Sequence, residues 1–164
     1  MTSLFGAQAL IAHTIALVSA WAYDLGVKAT AASVLPYAVS FGLLPLVVGP
    51  APAWLVAAAV ALGCAAHFAN AVPDLADDLA TGVRGLPHRL GATASTAVAA
   101  CLVLVTGLVL AFGPPGPPGW LPLTAVGLAV LVLAAGVARG GRAPFAAVLL
   151  VALLDVAVAA YVLA

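Results

Sequence analysis

Asn70, Asp74 and Asp78 recur at four-residue intervals. On a continuous helix that interval places them on one face. His67, three residues before Asn70, joins the edge of that face, and Asp77 points partly away from it. Two ionised carboxylates one turn apart repel each other. The arrangement becomes favourable when a divalent cation lies between them. Mg2+ takes octahedral oxygen ligands, commonly one or two carboxylates completed by substrate phosphates. Asp74 and Asp78, with the Asn70 amide just ahead, suit that role. Pro73 interrupts the pattern. Its ring clashes with the carbonyl four residues earlier, so it either kinks the helix or marks its exit.

Arg84, His88 and Arg89 follow in a Gly- and Pro-marked loop between Gly82 and Gly91. The guanidinium fork matches phosphate oxygens. Acids for a metal beside arginines for phosphate describe a diphosphate site. Lys28, after Tyr23, adds a point charge on the same side. Plainer roles stand beside these. Arg84 and Arg89 also suit anionic lipid headgroups, and Asp77 or Asp78 also suits a loop start or an ion pair with those arginines. His67 also fits as a packed polar spot, Asn70 as an interhelix hydrogen-bonding group, and His88 as an interfacial residue.

The elements that position these groups are membrane helices. Hydrophobic residues make up 66% of the 164 positions and charged residues 6%, too few to cover a soluble surface. With net charge +0 and no basic run, nucleic acid is excluded as a partner. Cys64 and Cys101 lie in apolar stretches and read as small hydrophobes, not as a disulfide or metal pair. Apolar segments approaching spanning length predict six spans: Leu4 to Tyr23, Val34 to Val48, Ala53 to Ala69, Ala94 to Phe112, Leu121 to Ala138, and Phe145 to Leu163. The second is short and contains Pro36 and Pro45, which leaves a re-entrant or tilted element as its alternative. The first has no basic leader, since Lys28 is the first positive charge, and is too long for a cleavable signal core.

Six alternating spans put all five Lys and Arg residues on one side, in the loops after spans one, three and five. The loops Gly49 to Pro52 and Gly113 to Gly119 hold none. The positive-inside rule then places the polar cluster on the cytoplasmic side of the cell inner membrane, with both termini outside. Ala-rich faces such as Ala57 to Ala59 and Ala97 to Ala100 allow close helix approach in lipid. The expected fold is an all-α, multi-pass transmembrane bundle of about six helices.

The stretch HFANAVPDLADDLATG from His67 to Gly82, continued by Leu86 to Gly91, resembles the second aspartate-rich motif of the UbiA family of intramembrane prenyltransferases. Tyr23 to Lys28 and Leu35 to Pro45 resemble that family's middle region, whose tyrosine and lysine lie near the substrate. The resemblance covers essentially the whole chain as the last six of nine family helices. It implies Mg2+-dependent transfer of a prenyl group from an isoprenoid diphosphate to an acceptor, often aromatic, within the membrane lipid. Asp74 and Asp78 would be the metal-diphosphate carboxylates, with Asp77 accessory and Asn70 just ahead. Tyr23 and Lys28 would match residues near the diphosphate, and Arg84 and Arg89 would add phosphate contacts.

The family's first aspartate-rich motif has no counterpart, because Asp24 is the only acid before Asp74. Residues 1–164 are therefore expected to form one prenyltransferase-like domain lacking the first three family helices. Such a chain would be a truncated gene model, a decayed copy, or half of a split enzyme that pairs with an N-terminal partner chain. The competing expectation is a non-catalytic multi-pass membrane protein.

Overall fold

The computed structural model describes residues 6–163, and they are helical in the order α1 (Ala7–Asp24), a 3-10 turn (Val27–Ala29), α2 (Leu35–Val48), α3 (Ala53–Ala71), α4 (Leu75–Ala80), α5 (Leu86–Phe112), α6 (Trp120–Arg139) and α7 (Ala143–Leu163). Each expected span has its helix. Residues 4 and 5, where the first was expected to start, lie outside the described residues. Four helices, α3, α5, α6 and α7, are long and apolar enough to cross a membrane. The 14 residues of α2 rise only about 21 Å against a hydrocarbon layer of about 30 Å. In α1, Gln8, His13, Thr14, Ser19 and Asp24 dilute the apolar content.

The starts of the helices are written in prolines. Pro36 and Pro87 lie in the first turns of α2 and α5, where a missing N–H costs no hydrogen bond. Pro52 precedes α3 in an extended conformation. Helix α5 reaches back past the expected start at Ala94 to Leu86, through a kink at Gly91, whose φ of 79° is readily open only to glycine. The Ser95 hydroxyl donates to the Pro87 carbonyl at 3.1 Å, which partners one of the acceptors near the kink.

Two apolar clusters form the core. Phe68 and Ala65 of α3, Ala99 and Val103 of α5, Leu133 of α6, and Val148 and Val151 of α7 make the larger. Ala58, Leu110 and Val158 make the smaller. Most of these side chains are alanine or valine, so helix backbones come close and van der Waals contact supplies the association. Leu131, Leu150 and Leu153 point outward, as lipid-facing positions do. On the other flank, α1 and α2 are joined by hydroxyl bonds from Ser19 to the Pro36 carbonyl (3.3 Å) and from Ser40 to the Ala16 carbonyl (3.0 Å). Helix α2 packs in turn on α3. This up-and-down path brings the end of α1, the end of α3 and the start of α5 together at one charged end.

Candidate functional site

Helix α3 stops at Ala71, and Pro73 marks its exit rather than a kink within it. The Asp74 N–H donates to the Ala71 carbonyl at 3.2 Å, and Asp74 then caps α4 by position. The Asp78 N–H donates to the Asp74 carbonyl at 2.9 Å. The one-turn spacing of Asp74 and Asp78 therefore survives, but Asn70 belongs to the helix before the break. The common face across all three positions is interrupted there. The Thr81 hydroxyl (3.0 Å) and the Val83 N–H (2.9 Å) both donate to the Asp78 carbonyl and close α4.

Asn70, Asp74 and Asp77 are exposed, whereas Asp78 is half-buried. Its Oδ2 lies 3.0 Å from Nε2 of His88, whose side chain is 5% exposed. Asp78 is thus held by His88, not by Arg84 or Arg89. Both arginines are exposed, and the Arg89 Nε–H donates to the Arg84 carbonyl at 3.1 Å. Among the described residues, no three His, Cys, Asp or Glu side chains converge as a metal-holding group. By chemistry alone, Asp74 and Asp78 offer the hard oxygens that Mg2+ takes, in the one or two carboxylates that phosphate oxygens commonly complete.

Beneath the acidic turn lies a buried network. The Leu86 N–H donates to Ser33 Oγ at 2.9 Å, and the same oxygen is 3.0 Å from Nε2 of His67. Ser33 is fully buried and His67 is 2% exposed. The hydroxyl serves two elements at once, because one oxygen can accept from the amide while its proton faces the imidazole. Gly85 permits this closeness. A Cβ there would lie 2.9 Å from Ser33 Oγ and press on the Lys28 carbonyl. Lys28 itself is half-buried in the 3-10 turn.

Around His67 stand Tyr37 (ring centroids 5.0 Å apart), Phe68 (5.5 Å) and Tyr23 (5.9 Å). Tyr23 and Tyr37 meet edge to face at 5.4 Å, a favoured geometry for aromatic pairs. The Ser33 bridge from His67 to Leu86 ties this aromatic group to the start of α5, where His88 meets Asp78. The structure thereby gathers Tyr23, His67, Asp78 and His88 from α1, α3, α4 and α5, with Lys28 on the adjoining turn. Asn70, Asp74, Asp77, Arg84 and Arg89 surround this group on the exposed rim. Behind Pro73, a largely apolar cavity of about 680 Å³ opens between α5, α6 and α7, with Thr93, Thr96 and Arg142 among its lining residues.

Sequence reasoning does not single out Ser33 or Asp155. Ser33 carries no signal at all, since a single serine before a proline-led helix is ordinary. Asp155 carries a clear one, a lone acid inside the apolar run from Phe145 to Leu163. It is 4% exposed, and its Oδ2 has no hydrogen-bond partner. No family model matches the chain, and neither a curated protein nor a solved structure matches it.

Proposed function

We propose that the charged end is the Mg2+–diphosphate portion of a UbiA-type intramembrane prenyltransferase, which moves a prenyl group from an isoprenoid diphosphate to an acceptor, in this family often aromatic. The observation that carries this reading is the acidic turn itself. It places Asp74 and Asp78 one helical turn apart, with Asp78 fixed by His88, at the mouth of an apolar bundle. Asp74 and Asp78 would hold Mg2+, with Asp77 accessory and Asn70 alongside. The ion would neutralise charge on the diphosphate as it departs. Arg84, Arg89 and Lys28 bind phosphate oxygens directly. Tyr23, in ring contact with His67 and Tyr37, would lie near the diphosphate. The carbon–oxygen bond to the diphosphate breaks with its electron pair on oxygen, and the acceptor attacks the allylic carbon and gives up the displaced proton to water or to the departed diphosphate. The apolar space between helices shelters the prenyl tail from water. In this reading the protein crosses the inner membrane several times, with the charged end toward the cytoplasm.

One observation favours a second reading, a non-catalytic membrane protein: a truncated or decayed prenyltransferase, or one subunit of a split enzyme. Asp74 and Asp77 are exposed, and no third ligand converges on them among the described residues. The two readings separate by direct binding. Purified chain in lipid nanodiscs is titrated with a fluorescent prenyl diphosphate, with and without Mg2+. The enzyme reading expects Mg2+-dependent binding that the Asp74→Asn, Asp78→Asn double variant loses. Binding indifferent to Mg2+ or to that double substitution would sink it.

A further inference from the structure

Asp155 is the thirteenth of the 21 residues of α7, about 18 Å along the helix from its charged-end start. That is the depth of a membrane interior. Val151, one turn before it, belongs to the larger core cluster, and Val158, three residues after it, to the smaller one. The carboxyl therefore sits at the junction of the two clusters. Its Oδ1 faces Gly107 of α5, where an added Cβ would come within 3.2 Å. The same Cβ would lie 3.3 Å from a Val126 methyl of α6, so α5, α6 and α7 meet at this point.

Among the described residues, nothing charged is available to it. The titratable and charged groups on the packed elements are Cys64 and His67 of α3, His88, Arg89 and Cys101 of α5, and Arg139 of α6. His67 faces Ser33, His88 faces Asp78, and Arg89 and Arg139 donate to backbone carbonyls. Cys101 is exposed and Cys64 half-buried. Neither they nor any other described residue bonds Asp155. An ionised carboxylate in such surroundings needs a counter-ion or several donors. The packed helices supply neither, so the form they accommodate is the neutral acid.

We propose that Asp155 is an intramembrane proton-binding site: the packed α5–α6–α7 junction holds its carboxyl protonated, and loss of the proton requires that junction to open to water. The site takes no part in the diphosphate chemistry proposed above and stands if that reading falls. Its ligand is a proton. The bond broken on release is the carboxyl O–H, with the electron pair left on Oδ and the proton passed to entering water. Small residues at the junction make opening feasible, since Gly107 presents no side chain to displace.

Infrared spectroscopy of the full chain in lipid nanodiscs tests this. At neutral pH the protein is expected to show the carbonyl stretch of a protonated carboxyl, and Asp155→Asn is expected to lose it. Should Asp155→Asn fail to fold by circular dichroism, Asp155→Glu serves instead, retaining the band at a shifted frequency. Raising the pH until the band disappears is expected to increase hydrogen–deuterium exchange along α5 to α7, an increase absent from the substituted protein. Absence of the band at neutral pH would overturn the proposal. So would removal of the band by Na+ at constant pH, which would identify a cation site. Disappearance of the band without a change in exchange would overturn the link to opening.

Discussion

Asp78 and Asp155 are the same side chain in opposite settings. Asp78 is 37% exposed, 3.0 Å from an imidazole and flanked by two more acids on an open turn. Asp155 is 4% exposed, alone on its helix and without a partner for Oδ2. The first is open to solvent, and in the proposed function it shares a divalent cation with Asp74. The second is packed among apolar helices without a partner for Oδ2, where an ionised carboxylate is costly. Position relative to the apolar core, more than residue type, decides which chemistry a carboxyl can offer.

The sharpest way to break that contrast is to place a fixed charge at the buried position. Asp155→Lys puts an ammonium into the α5–α6–α7 junction with no partner within its packing. An uncompensated buried charge costs about 3–5 kcal/mol. Thermal unfolding in detergent is expected to drop by that order, and a near-native melting temperature would show that the junction is already wet. Next in size is Ser33→Ala. It leaves the buried His67 Nε2 and the part-buried Leu86 N–H without their shared partner, at about 1–3 kcal/mol for the buried group left unsatisfied. Gly85→Ala presses on the same oxygen from the other side, and overpacking of this kind costs about 1–3 kcal/mol. Both are read by thermal unfolding. If Ser33→Ala is silent, the charged end does not depend on its buried bridge, and the two regions differ less than their geometry says.

How much of this was legible in the sequence depended on whether the signal was local. Apolar run length located the helices, because a bilayer's thickness sets that length. Pro36 and Pro87 marked helix starts for an equally local reason, their missing N–H. The span expected from Ala94 to Phe112 is the segment of α5 beyond the Gly91 kink; that a short segment from Leu86 joins it, with a hydroxyl bond from Ser95 to Pro87, has no local signal. The one-turn spacing of Asp74 and Asp78 was legible and held. The common face with Asn70 was not kept, because Pro73 ended α3 between them. The pairing of Asp78 with His88, ten residues on, and of Ser33 with His67, 34 residues apart, follows from tertiary packing alone. The isolation of Asp155 was written plainly in the composition of its segment, but its burial depended on which face α7 turned inward.

The smallest effect expected is also the most discriminating. The Asp78–His88 contact is partly open to solvent, and exposed pairs of this type contribute up to about 1 kcal/mol. Asp78→Asn removes the charge but keeps an oxygen that can accept from His88 Nε2–H, so the melting temperature should barely move. A structural role for Asp78 would instead make the charge itself matter, and Asp78→Asn would then unfold the protein about as readily as His88→Ala does. If stability is unchanged in Asp78→Asn while Mg2+-dependent binding of prenyl diphosphate is lost, the carboxylate is there for a ligand. If both persist, the acidic turn is a solvated loop end, and among the described residues the acid with a setting of its own is Asp155.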